Sequence, residues 1–248
     1  MRQARTTELP PPRRLGALRE PANAALYAAL LLSMGLAIFM AFVVAPAERV
    51  QAEVYRILFV HVPSAWLAFA AFGVVAVGSV MFLIRGTSRW DRLAHASAEI
   101  GVLFTTLCLV TGSVWGRSVW GVWWQWDPRL TTTLIMWFIY VSYLALRSYI
   151  DDPDARRRMS SVVGIVGVVS VPIVWFSVEW WRSLHPTPSV TNPGGGMPPE
   201  MLTTLLVSVA AFTVFYVVLL RQRMQLELAV AELGSLRERL HERTEESA

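Results

Sequence analysis

Lysine is absent from this sequence, and cysteine occurs once, as Cys108. The lone thiol excludes a disulfide scaffold, CxxC redox chemistry, four-cysteine zinc or iron–sulfur sites, and the CxxCH attachment motif of a c-type cytochrome. Charge is scarce as well, with 16% charged residues against 54% hydrophobic and a mean hydropathy of +0.46. That balance is far from the mix of a water-soluble domain, and the apolar excess equally excludes a disordered or fibrous chain. No basic stripe interleaved with aromatics marks a nucleic-acid surface.

What is present is a series of uncharged runs. About 20 helical residues cross the ~30 Å hydrocarbon core of a bilayer. Ala24 to Ala45, Val62 to Ile84, Leu130 to Leu146, Met159 to Val178 and Met201 to Leu220 carry no formal charge, and Ala94 to Trp115 is interrupted only by His95 and Glu99. The expected fold is an all-α integral membrane protein of six transmembrane helices. The first run is too long for a cleaved signal and reads as a retained anchor. The expected division is a tail over 1–23, a membrane domain over 24–220 and a helical tail over 221–248.

Arginine placement orients the spans, because positive residues collect in cytoplasmic loops. With the N-terminus inside, 17 of the 22 arginines fall on the cytoplasmic side, and only Arg49, Arg56, Arg117, Arg129 and Arg182 fall outside. Both termini are then cytoplasmic. The sequence pI near 9.7 reflects this topology and attraction to anionic membrane lipid rather than nucleic acid.

Parity places loops one, three and five on the same outer face, and each carries something unusual. Loop one ends in RILFVHVP, with His61 at the mouth of the second span. Loop three, WGRSVWGVWWQWDPR, holds five of the eleven tryptophans: Trp115, Trp120, Trp123, Trp124 and Trp126. Loop five opens EWWRSLHP, with His185, and runs through a Pro/Gly-rich stretch to Pro199. His95 and His241 fall on the opposite side. Two histidines beside a tryptophan platform suit a flat macrocycle with a central metal, which needs axial nitrogens, aromatic surface and cations for its carboxylates. Haem is such a ligand, with Arg56, Arg117, Arg129 and Arg182 as candidate partners of its propionates.

Each feature has a plainer reading. A histidine at a span end is commonly an interfacial polar residue, and tryptophans commonly form the aromatic belt of a membrane protein. A short helix lying on the membrane would gather Trp120, Trp123 and Trp124 on one face. Asp127 ahead of Pro128 is a natural cap for the fourth span. Glu99 is left without assigned chemistry, and haem delivery from the lipid stays as open as passage through the chain.

Three motifs, HVPSAW from His61, WGRSVWGVWWQWDPRLT from Trp115 and VEWWRSLHP from Val178, resemble the "WWD" haem-handling proteins, and together the haem exporter protein C family, CcmC, of system I cytochrome c maturation. The resemblance covers roughly residues 24 to 221. It implies a non-catalytic protein of the bacterial inner membrane that holds haem b on its periplasmic side and passes it to the haem chaperone CcmE. It also implies a complex with the ABC-transporter subunits CcmA and CcmB and the small membrane protein CcmD. The implied axial ligands of the haem iron are His61 and His185. Trp115, Trp120, Trp123, Trp126 and Asp127 are implied to hold and present haem, and Arg56 and Arg129 sit where the family has arginines linked to haem handling. No GxxxxGK[ST] run is present, so ATP use would fall to a partner subunit.

Pro186 follows His185 where relatives commonly have glutamine, which stiffens the backbone there. In the tail, Leu226, Ala229, Leu233, Leu236 and Leu240 form a seam of about two heptads, to pack on a partner or simply to extend the sixth helix. Two other readings keep the same residues: a cytochrome b-like electron-carrying subunit, which would place histidine pairs on facing helices at membrane depth, and a WWD haem handler of the system II type.

Overall fold

The computed structural model describes residues 20–186 and 197–247, and among these it is helical with no named strand. Helix α1 (Glu20–Phe39) is prolonged by a π-helical turn, Met40–Val44, and a 3-10 turn, Glu53–Ile57, leads into α2 (Leu58–Arg85). Then follow α3 (Ser88–Trp120), α4 (Pro128–Tyr149), α5 (Pro153–Gly167), α6 (Ser170–Trp180) and α7 (Pro199–Ser247). They supply six segments long and apolar enough to span a membrane, with α5 and α6 together forming the fifth, Pro153–Trp180. The chain is an all-α membrane protein with six spans, as the hydropathy predicts.

Local chemistry sets the helix ends. Asp127 caps α4 by accepting the Arg129 N–H at 2.9 Å, and Asp152 caps α5 by accepting the Ala155 N–H at 2.6 Å. Each is followed by a proline at the first helical position. Proline there gives up only a donor that the helix could not use.

Three details depart from the sequence reading. The third span does not stop at Trp115 but continues to Trp120, so Trp115 and Trp120 are helical residues rather than loop residues. It stops at Gly121, whose φ of +77° is a left-handed conformation that glycine enters without steric cost. Residues 121–123 then bend and 124–127 run without regular structure, not as a surface-lying helix, and Pro128 keeps Asp127 out of helical geometry. The single face expected for Trp120, Trp123 and Trp124 therefore does not form. The fifth span is broken between α5 and α6, where Val169 N–H reaches the Val166 carbonyl at 3.2 Å and Val171 N–H that of Val168 at 3.0 Å. Pro172 has no N–H for the Val168 carbonyl, and its ring crowds that oxygen. The tail from Arg221 continues α7 without interruption, and its seam leucines are exposed. The tail over 1–23 and the Pro/Gly-rich stretch of loop five fall largely outside the described residues.

The centre of the bundle is the α2–α3 hairpin. Ala68, Ala71, Ala94 and Ala98 are buried in it, and small side chains let two helices approach closely in a setting where packing, not water, drives association. Phe72 stacks on Tyr140 of α4 with centroids 3.5 Å apart and planes 6° from parallel. At the end of the bundle remote from the Trp120–Trp126 segment several polar side chains tie the helices together. Arg147 of α4 holds Asp91 of α3 through two bonds of 2.6 and 3.0 Å. Glu99 of α3 takes a two-pronged bond from Arg223 of α7, and His95 meets Glu227 at 2.5 Å. Glu99 is thus a helix-to-helix tie between α3 and α7.

Candidate functional site

His61 sits in the first turn of α2 and faces α3. Its Nδ1 lies 3.0 Å from Thr111 Oγ1, and the Cys108 sulfur stands 3.9 and 4.0 Å from Nδ1 and Nε2. Trp115 closes on the ring edge to face, with centroids 5.7 Å apart and planes at 80°. That indole is itself held, since its Nε1 donates to Gln51 Oε1 at 2.7 Å and Tyr55 meets its ring at 5.8 Å.

His185 is positioned by a different device. Asp127, which caps α4, also accepts the Ser183 hydroxyl at 2.8 Å and the Leu184 N–H at 2.7 Å. Ser183 Oγ in turn accepts the His185 backbone N–H at 3.0 Å, and His185 Nδ1 lies 2.9 Å from the Pro186 carbonyl. Burial pushes the His185 imidazole below its usual pKa, and the Arg129 cation pushes it further the same way. The ring is therefore neutral near pH 7, the form in which a histidine nitrogen binds a metal.

Both histidines line one cavity of about 590 Å³. Trp115, Trp120, Trp124 and Arg129 share its wall. The cavity also reaches Phe69, Thr105 and Met136. Phe69 lies eight residues past His61, about 12 Å along the helix axis. The space descends into the bundle rather than resting on the outer loops alone. Its size is that of pockets that enclose most of a small ligand.

The other sequence candidates divide. Trp123 and Trp126 are 61% and 76% exposed and do not line the cavity. Trp126 instead packs edge to face on Trp124, 5.7 Å away. Trp124, which the family resemblance left out of the haem-holding residues, does line the cavity, and its Nε1 is buried with no hydrogen-bond partner. Asp127 is 6% exposed, with both oxygens occupied by the backbone of α4 and by loop five, so it acts as a brace. Arg56 points elsewhere: it engages Glu53 and the carbonyls of Ala41 and Ala45, closing the end of the first span. Two carbonyls at a helix end and a nearby carboxylate outcompete an apolar cavity for a guanidinium. Arg117 donates to the Gly121 carbonyl. Arg129 belongs to the site: one nitrogen donates to the Val174 and Trp175 carbonyls at 3.0 and 2.9 Å, and the group borders the cavity.

Thr111 was also missed. The available signal was its position four residues before Trp115, which puts both on one face of α3.

The profile of the family described as "Heme exporter protein C" (CcmC) matches residues 5–239, which include every residue around this cavity. The chain belongs to that family. Among its relatives, the Heme exporter protein C of Bradyrhizobium diazoefficiens is 39% identical over 208 residues, covering 84% of this chain and 78% of the relative. That of Haemophilus influenzae is 38% identical over 80% of each chain, and that of Escherichia coli K12 is 36% identical over 73% of each. For this member of the CcmC family, the two histidines, the motif tryptophans Trp115 and Trp120, and Arg129 thus meet in one place. Trp123, Trp126, Asp127 and Arg56 take positions around it.

Proposed function

We propose that this protein handles haem for cytochrome c maturation, holding haem b as cargo in the cavity with His61 and His185 as axial ligands of the iron. The observation that carries the reading is that these two histidines, far apart in sequence, line one aromatic cavity. The donor set fits the ligand. Two imidazoles suit an iron, and the indoles of Trp115, Trp120 and Trp124 suit a flat apolar ring. Arg129 and the unpartnered Trp124 Nε1 suit its carboxylates. The protein's part is binding and presentation, without catalysis of its own. The names of its relatives, which describe haem export, agree with this.

From there haem would pass to the chaperone CcmE, in a complex with CcmA, CcmB and CcmD. The arginine distribution supports a bacterial inner-membrane protein with both termini in the cytoplasm and the cavity facing the periplasm. The exposed Trp123 and Trp126 at the rim are suited to meeting the partner that takes the haem. The test is an absorption spectrum of the detergent-purified protein with and without His61→Ala and His185→Ala together. A Soret band of bis-histidine character that vanishes in the double variant is expected. An unchanged spectrum in that variant, or a wild type that takes up no supplied haem, overturns the ligand assignment.

A further inference from the structure

We infer that Thr111 is a positioning residue for His61: its hydroxyl holds the imidazole as the Nδ1–H tautomer, so that Nε2 carries the lone pair offered to the iron. The inference rests on the haem reading above and deepens it. Thr111 Oγ1 lies 2.7 Å from the Leu107 carbonyl and 3.2 Å from that of Cys108, both on its own helix. A hydroxyl has one proton, and a carbonyl can only accept. The Thr111 proton is therefore spent on α3, and the oxygen presents only lone pairs to His61 Nδ1 at 3.0 Å. The hydrogen in that bond must come from the imidazole, and in a neutral ring a proton on Nδ1 leaves Nε2 bare.

The surroundings hold the ring in this setting. A Cβ added at Gly112 would come within 3.0 Å of His61 Cε1, so glycine leaves the space in which the ring lies. The Cys108 sulfur is nearly equidistant from the two nitrogens, which keeps it off the lone-pair direction of either. Trp115 closes edge to face and resists a flip of the ring. His185 reaches the same tautomer by another route, because its Nδ1 meets the Pro186 carbonyl, a pure acceptor, at 2.9 Å. Outer partners of this kind orient metal-binding histidines, and their loss costs roughly 10–100-fold in metal affinity.

The test uses the full-length protein labelled with ¹⁵N-histidine, with His61 assigned by loss of its signals in His61→Ala. Before any haem is added, the wild type and Thr111→Ser should show His61 protonated at Nδ1 and bare at Nε2, whereas Thr111→Val, which keeps the shape and removes the acceptor, should lose that preference. On titration with hemin, Thr111→Val should bind about 10–100-fold more weakly and Thr111→Ser should recover most of the affinity. An Nε2–H tautomer in the wild type overturns the inference, as does a Thr111→Val protein that keeps the wild-type tautomer and affinity. Should Thr111→Val fail to fold, the wild-type tautomer decides between the same two outcomes. A wild type that takes up no hemin would sink the haem reading and with it the ligand role of Nε2, while the apo spectra separately sustain or refute the tautomer.

Discussion

Asp127 and Ser183 are joined at 2.8 Å across 56 residues of sequence, so the carboxylate that starts α4 also holds the segment leading into His185. Replacing Asp127 with alanine removes a helix cap, worth about 1 kcal/mol, and takes away the acceptor shared by the Ser183 hydroxyl and the Leu184 N–H. The expected result is a lower melting temperature together with a spectral change, from six-coordinate bis-histidine haem to a species ligated by His61 alone. A variant that loses stability but keeps the bis-histidine spectrum would show that the brace does not place His185.

Acidification should affect the site later than an ordinary histidine would suggest. Burial first and Arg129 second lower the His185 pKa from its usual 6.5. Iron competes with protons for the neutral ring, so affinity is level while the ring is neutral and falls once the pH drops through the lowered value. We expect hemin affinity to stay flat from about pH 8 to about 6.5 and to decline only below. Arg129→Met should move the decline upward. The same shift ties stability to pH: the unfolded ring takes a proton near 6.5 and the folded ring does not. The contribution of His185 to apo-protein stability is thus whole above 6.5 and is lost as the pH falls through the folded value. Hemin titrations across this range would contradict the assignment if the decline began above 6.5.

Neighbouring tryptophans should separate in their effects. Trp124 lines the cavity, while Trp123 is mostly exposed. Trp124→Ala should weaken hemin binding about 5–30-fold, the effect of losing a packed aromatic contact, and Trp123→Ala should weaken it less. Equal losses, or the reverse order, would place the wrong indole against the ligand.

The far end of the bundle offers a test of stability alone. Arg147 and Asp91 are a buried, doubly hydrogen-bonded pair. Removing one partner strands the other charge, so Arg147→Ala should cost about 3–5 kcal/mol, read as a large drop in thermal stability. Arg157 approaches Asp91 only to 3.9 Å and is partly exposed, so Arg157→Ala should cost much less.

The six spans were legible because hydropathy reports directly what faces lipid, and the paired histidines were legible because parity put their loops on one side. Sequence pattern says little about which side chain turns inward at a span end. Trp123 and Trp124 are adjacent and alike, and only the bend after Gly121 decides which one enters the cavity. Arg56 and Arg129 looked equivalent as outer cations, yet the carbonyls of Ala41 and Ala45 lie within reach of one and those of Val174 and Trp175 within reach of the other. The break in the fifth span was written in Pro172, but an uncharged run hides a proline from a hydropathy count. The ties of Glu99 and His95 depend on helix α7, more than 120 residues away, which no local pattern could supply.

The cavity is walled by the second to sixth spans, and Leu205 and Val209 of α7 close one side. During synthesis this enclosure comes into being late. A nascent chain that has inserted α2, α3 and α4 already carries His61, Trp115 and Arg129, yet it lacks both the second histidine and the last wall. Until then the cavity has an open flank, and it becomes whole only when the final helix docks.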